Sequence, residues 1–170
     1  YVADERGNYT EAFAYLQQVV ASSAGADLWY APYGRLAIIS YGMGNYELSG
    51  QMLTQAAAYL DSAYPHQRLE QQIMWARLDI VADDLTTARA RCLAVLPKAR
   101  ELSSKNVQIW ALNELGRIAL FEDQADEGAG YFGEAVALAD SMGRRKEQAR
   151  ARVGLGQAAL AQDKIDLARR

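Results

Sequence analysis

The stretch Met43-Gly44-Asn45-Tyr46-Glu47-Leu48-Ser49 decides the reading of this chain. Glycine and asparagine reverse the backbone there, between two runs whose apolar residues recur at helical spacing. Counterparts recur along the sequence: Gly7 to Ala12, Asp83 to Ala88, Asp123 to Gly128 and Asp163 to Ala168 align with Gly44 to Ser49, at intervals of 37, 39, 40 and 40 residues. A period in this range marks stacked supersecondary units, none of which buries its apolar face alone. Because Asp83-Asp84 and Asp123-Gln124 fill the place without glycine, the position needs a sharp helix-to-helix reversal and a cap, not ligand chemistry.

Outward from that turn, the pattern is helical nearly throughout. Tyr9, Ala12, Phe13, Leu16, Val19 and Val20 put one apolar face on a run from about Tyr9 to Ser23, which ends at Ser22-Ser23-Ala24-Gly25. The next run starts near Leu28, accepts Pro32 in its first turn, and continues through Leu36, Ala37 and Ile39 to Gly42. Its hairpin partner carries Leu48, Met52, Leu53, Ala56 and Leu60 from about Tyr46 and stops before Tyr64-Pro65. The cycle repeats from about His66 to Ala82 and Leu85 to Leu102, then Lys105 to Glu122 and Asp126 to Met142. A last run spans about Arg144 to Gln162, with a second helix expected near Ile165. Nine helical segments result, and Pro97 is expected to kink or split the one that contains it.

Composition narrows the class. With 51% hydrophobic and 23% charged residues in 170, the chain is long enough to bury a continuous core if its repeats stack. A net charge of -3 offers no general attraction for nucleic acid or an anionic membrane. No apolar stretch approaches the ~20 residues needed to cross a bilayer as a helix. The single cysteine, Cys92, forms no internal disulfide, which fits a reducing, cytoplasmic setting. The chain starts and stops inside a repeat, at Tyr1 and Arg170, so it reads as a fragment of a longer protein.

The spacing within each hairpin resembles the tetratricopeptide repeat (TPR). Small residues seven positions before the turn anchor fall at Ala37, Ala76, Gly116 and Gly156, each preceded by Leu36, Trp75, Leu115 or Leu155. Five positions after it come Ala12, Ser49, Ala88, Gly128 and Ala168. Small side chains at both places let two helix axes approach closely. The second helices continue with Leu16, Leu53, Cys92 and Phe132, then Val19, Ala56, Val95 and Ala135. Two departures stand out: Ser40, Asp79, Ala119 and Ala159 replace the family's late tyrosine, and no proline closes the second helix. The period exceeds the common 34 residues, with the extra residues expected in the second helix or the loop after it. HEAT and armadillo repeats share the period but leave the Gly-Asn-Tyr turn unexplained.

The resemblance implies an all-α, right-handed α-solenoid of antiparallel helical hairpins. About four to five repeats make one domain over residues 1–170, with turn anchors near 7, 44, 83, 123 and 163 and truncation at both ends. The segments Ala137 to Arg145 and Glu147 to Gly156 are similar to the repeat region of bacterial LuxR-type, MalT-like regulators, and to repeats attached to other signalling ATPases and cyclases.

No catalytic constellation emerges. His66 is the sole histidine and reads as a surface residue at a helix start, while Cys92 takes a core position. Asp83-Asp84 and Glu122-Asp123 read as caps for the following helices. The glycines of Gly42-Met43-Gly44 and Gly154-Leu155-Gly156 read as turn or packing residues, since no phosphate-binding motif surrounds them. Arg144-Arg145-Lys146 with Arg150 and Arg152 forms a basic cluster whose default is a solvated face. The reading is therefore non-enzymatic, with no cofactor and no metal.

A repeat stack presents a concave face built from its first helices. By resemblance, groove positions fall at Ala31, Gly34, Ile38 and Tyr41, then at Glu70, Ile73, Arg77 and Ile80. They continue at Trp110, Asn113, Arg117 and Leu120, with Phe121 beside them, then at Arg150, Val153, Gln157 and Leu160. Arg77 and Arg117 occupy equivalent positions one repeat apart, suited either to an acidic peptide or to pairing with Asp79 and Glu114. The two-carboxylate clamp of chaperone-binding members is not reproduced, because Gly34, Ile73 and Val153 stand where polar clamp residues would recur. The function expected is binding of a protein segment or inducer within a larger bacterial regulator concerned with transcription or signalling. The alternative is a self-assembling scaffold or an adaptor in a multiprotein complex.

Overall fold

The computed structural model describes residues 8–22, 30–60 and 65–168. Within them the chain forms eight helices: α1 (Tyr9–Ser22), α2 (Tyr30–Gly42), α3 (Tyr46–Ala57), α4 (Pro65–Val81), α5 (Leu85–Glu101), α6 (Lys105–Phe121), α7 (Ala125–Ser141) and α8 (Arg145–Ala168). The anchor at Gly7 and the helix start expected near Leu28 lie outside the described residues.

One backbone device closes every described helix-to-helix reversal. Gly44, Asp83, Ser103, Asp123 and Gly143 all take left-handed φ angles, between 53° and 78°. The residue after each donates its N–H to a carbonyl five positions back: Asn45 to Ser40, Asp84 to Asp79, Ser104 to Ala99, Gln124 to Ala119 and Arg144 to Ala139, at 2.8–3.1 Å. This is the Schellman closure, which satisfies carbonyls that a helix end leaves open. From Asp83 to Gly143 the turns within hairpins and the turns between them are thus the same structure. From Asp83 to Gly143 they stand twenty residues apart, separated by helices of 17 residues. The length beyond the common period is therefore shared by both helices of a hairpin, and is not gathered in the second helix or a loop.

Side-chain caps supplement the turns unevenly. The Asn45 side chain accepts from the Leu48 N–H at 3.1 Å, and Asp84 accepts from the Thr87 N–H at 3.0 Å. Ser104 and Gln124 occupy the same position without a side-chain cap bond. The expectation for Glu122-Asp123 is thus corrected: Asp123 supplies the left-handed residue, and Glu122 turns to Arg89. Asp84 fulfils its expected role, and the Thr87 N–H holds its carboxyl below the ordinary aspartate range. That contribution to stability is present above the ordinary aspartate pKa and is lost as pH falls through the depressed value. Asp84→Ala is accordingly expected to lower the melting temperature near neutral pH, with the gap from wild type closing in acid. Asp84→Asn, which keeps an acceptor, should lose less; thermal melts across a pH series measure both.

Ser103 is the residue least suited to its left-handed conformation, because it has neither the freedom of glycine nor the local carboxamide or carboxylate of Asn and Asp. Ser103→Gly is expected to raise stability by about 0.5–1 kcal/mol, the strain relieved exceeding the added freedom of the unfolded chain. Denaturant midpoints at an unchanged slope would register the gain.

Two corrections concern helix continuity. The turn expected at Asp163 is absent, because α8 runs unbroken from Arg145 to Ala168. No glycine or proline interrupts residues 157–168, so helix satisfies the backbone there. Pro97 lies inside α5 without splitting it. It sits on an exposed face, where water can reach the carbonyl its ring leaves without a donor.

The chain divides into two compact units, residues 1–78 and 79–170. In the first, α2 packs between α1 and α3 and buries Leu36, Ala37 and Ile39. Ser49 Oγ donates to the Ala37 carbonyl at 2.8 Å, so the small residues expected at the helix crossing do meet. Gln71 Nε2 of α4 donates to the Leu53 carbonyl of α3 at 2.8 Å. Leu53, Ala37 and Met74 form the local core, with Trp75 and Leu78 against it.

In the second unit, α6 is the central element, buried from Ala111 to Gly116 and at Ile118 and Ala119. Around it α5 contributes Ala88, Cys92, Val95, Leu96 and Ala99, and α7 contributes Ala125, Gly128, Phe132, Ala135 and Ala139. Phe132 is the packing centre. Its ring lies over Gly116 of α6, where a Cβ would meet Cζ at 2.7 Å, and over Gly154 of α8, where a Cβ would come closer still. Glycine is needed at both places by contact, not by backbone angle.

Candidate partner-binding face

The candidate residues divide between the two units, and each set is described within its own. In the first unit, Tyr41 ends α2 half-buried, its ring 5.3 Å from that of Tyr46. Glu70 on α4 is half-buried, and burial raises its carboxyl pKa, opposed by the positive charges of Arg35 and His66. Ile73 is buried in the core, so it is not open to a partner. Arg77 is also largely covered and places Nη1 3.4 Å from the Met74 sulfur. The Asp79 expected beside it pairs instead with Arg91 of α5, at 2.7 Å.

In the second unit, Asn113 is only 1% exposed, and its Nδ2 donates to the Ile109 carbonyl at 2.9 Å. The side chain belongs to the interior of α6. Arg117 does pair as expected with Glu114, Nη1 to Oε2 at 2.5 Å, and Glu114 is fully buried. That pair anchors the arginine to its own helix. Trp110 is half-buried, and Arg150 and Gln157 are exposed on α8. Phe121 is 60% exposed at the end of α6, and Val153 is 62% exposed between Arg150 and Gln157. α6 and α8 are neighbours. The solvent-accessible members of the set in this unit are therefore Trp110, Arg117, Phe121, Arg150 and Gln157, with apolar Val153 among them.

This arrangement joins large apolar side chains to cations and an amide, and contains no nucleophile beside a base. Such a surface can bury an apolar anchor and orient a carboxylate or a peptide backbone. His66 is exposed and Cys92 is buried. Among the described residues no group of three or more His, Cys, Asp or Glu side chains converges as a metal site. No helix in them is long and apolar enough to cross a membrane.

The sequence reading missed two sets of residues that hold the hairpins together. Arg68, Gln108 and Gln148 stand forty residues apart in the first turns of α4, α6 and α8. Each reaches back to the end of the preceding helix pair: Arg68 to the Leu60 carbonyl at 3.1 Å, Gln108 to the Ala99 carbonyl at 3.0 Å and Gln148 to the Asp140 carboxylate. The forty-residue spacing was the signal, disguised by the change of residue type. Arg89 of α5 gathers Glu122, Gln124 Oε1 at 3.1 Å and Glu127 Oε1 at 3.0 Å, tying α5 to the turn between α6 and α7. It has no counterpart at Ala129 or Gly50, so no periodicity points to it.

No known family profile matches the sequence, and no curated protein is significantly similar to it. Solved structures are similar: a kinesin light chain-like protein of Podosopora anserina with nearly identical TPR-like repeats, and the Q17M form of that protein. Each aligns at a TM-score of 0.59 with 22% identity, over 98% of this chain and 88% of that one. Likeness at this identity is likeness of fold. The chain has the all-α, TPR-like solenoid fold.

Proposed function

We propose that this chain is a non-enzymatic protein-interaction module, binding a protein segment through the outward side of its first helices. The observation that carries the reading is the exposure of Phe121 and Val153 beside Arg117, Arg150 and Gln157 on the neighbouring helices α6 and α8. Apolar side chains of this size, flanked by cations and an amide, suit an acidic segment that carries an aliphatic or aromatic anchor. In the finer form of the proposal, the module belongs to a larger cytoplasmic regulator of the LuxR-type, MalT-like kind, and passes binding of a partner or inducer to other domains. Residues 1–170 act as one repeat domain in this reading.

The test is a quantitative pull-down from the source cell, comparing wild type with the combined Trp110→Ala, Phe121→Ala, Arg150→Ala and Gln157→Ala variant. Loss of specific partners from the variant, at unchanged helix content, is the expected result. An identical set of bound proteins would overturn the assignment of this face.

A second reading, a scaffold that assembles with copies of itself, is favoured by the exposure of Val19 on α1, whose repeat counterparts Ala56, Val95 and Ala135 are buried, and of Leu160 on α8, whose counterpart Leu120 is half-buried.

A further inference from the structure

Helices α5, α6, α7 and α8 of the second unit run antiparallel to their neighbours, so its turns alternate between two ends. The reversals at Ser103 and Gly143 lie at one end, those at Asp83 and Asp123 at the other. Charge is divided between these ends. Beside Ser103 and Gly143 stand Lys98, Arg100, Lys105, Arg144, Arg145 and Lys146, all exposed. Beside Asp83 and Asp123 stand Asp84, Glu122, Asp126 and Glu127, with Arg89 and Arg91 to offset them.

Pairing sharpens the division. Arg89, Arg91, Arg117 and Arg152 hold carboxylates, and Arg100 holds Glu134 at 2.6 Å. Lys98, Lys105, Arg144, Arg145 and Lys146 form no ion pair among the described residues. The acids at their end offset them only in part: Asp140 is taken by Arg152 and Gln148, which leaves Glu101 and Glu147 against these cations. Helix stability gives no reason for the arrangement, since Lys105, Arg145 and Lys146 occupy first turns, where the helix dipole disfavours a cation. Lys98 and Lys105 belong to α5 and α6, which have described helices packed against them, and both are exposed like the cations of α8. An apolar side chain stands at the tip of each turn: Leu102, 36% exposed, precedes Ser103, and half-buried Met142 precedes Gly143.

We infer that this end of the second unit binds the surface of an anionic membrane, its unpaired cations meeting lipid phosphates while Leu102 and Met142 touch the headgroup boundary. Clusters of about four to eight Lys and Arg are what an anionic leaflet attracts, and two turns at one end can reach a plane together. A nucleic acid strand fits less well. No aromatic residue occurs in 97–105 or 138–146, so the stacking platform that binds single strands is absent there. The net charge of -3 conceals the site, because the acidic end outweighs it. At physiological salt the Debye length is about 8 Å, whereas the 17 residues of α6 span roughly 25 Å between the ends, so the acids do not cancel the attraction. Contact at this end turns the acidic end away from the membrane. Phe121, at the far end of α6, stays open to a protein partner.

Flotation of the chain with lipid vesicles tests the inference. Binding is expected to vesicles of phosphatidylcholine mixed with phosphatidylglycerol and not to phosphatidylcholine alone, with release in about 1 M salt, where the Debye length falls to about 3 Å. Each cation near an anionic surface contributes about fivefold to partitioning, so Arg144→Gln, Arg145→Gln and Lys146→Gln together should weaken it about a hundredfold. Asp123→Asn with Asp126→Asn, at the opposite end, should not weaken it. Helix content, read by far-UV circular dichroism, should equal wild type. Lys98→Gln with Lys105→Gln, expected to lose about thirtyfold, serves as a second variant should the first alter it. A chain that does not float with the mixed vesicles overturns the proposal, as does equal binding to both compositions or a triple variant that floats like wild type. Capture by a DNA duplex or by poly-glutamate in place of the vesicles overturns it too.

Discussion

Replacing Phe132 with alanine is expected to lower the unfolding free energy by about 4 kcal/mol, the range found when a large aromatic is removed from a packed core. The ring, carried by α7, is enclosed and touches two other helices, α6 and α8, at their glycines. The reciprocal change, Gly154→Ala, adds a methyl group where the ring already lies. Alanine gains about 1 kcal/mol in helix propensity over glycine, but overpacking costs about 1–3 kcal/mol and an immovable ring puts the cost at the upper end. A net loss of about 2 kcal/mol is expected. Phe132→Leu should restore much of it when combined with Gly154→Ala, since the shorter side chain vacates the disputed space. Gly156→Ala, two residues away with nothing opposite, should instead stabilise slightly. Urea unfolding of the four variants separates close packing from propensity, because propensity alone predicts the same sign at Gly154 and Gly156.

The second large effect is expected at the Glu114–Arg117 pair. Glu114 is wholly buried, while the Arg117 side chain is 30% exposed. Removing the arginine leaves a carboxylate inside the core without its 2.5 Å partner. Breaking a buried pair from one side costs about 3–5 kcal/mol, and the partial exposure of Arg117 reduces this to about 2–3 kcal/mol. Arg117→Ala is thus expected to be strongly destabilising at neutral pH. Replacing both residues with leucine should return most of the loss, because the desolvation cost disappears with the charge. A double-mutant cycle by urea unfolding measures the coupling; equal losses for the single and double variants would contradict it.

Much of the architecture was legible because the repeat demands particular sizes at particular places. Ala37, Ala76, Gly116, Ser49, Ala88 and Gly128 are all buried, as the spacing required. Gly156, the last member of that series, is exposed, and Gly154 is the packing glycine instead. Periodicity gives the register of a residue on its helix but not whether a neighbour lies opposite, and among the described residues nothing lies opposite Gly156. The same limit applies to the site. Asn113 shares the register of exposed Val153, yet among the described residues α6 has helices on both sides and α8 does not. Ser103 and Gly143 do not stand out as turn residues in a forty-residue pattern, because the backbone repeats its closure every twenty residues while the sequence repeats every forty. At Asp163 the sequence allows a turn, but the backbone stays helical through Ala168, since no glycine or proline there favours a break.

The central claim is that binding lies on the first helices of the hairpins while the second helices and turns hold the register. A photo-crosslinking residue placed at Phe121 of α6 or at Leu93 of α5, both exposed, tests it in the source cell. A discrete cross-linked partner is expected from position 121 and none from position 93. Cross-linking of that partner from position 93, with none from position 121, would contradict it.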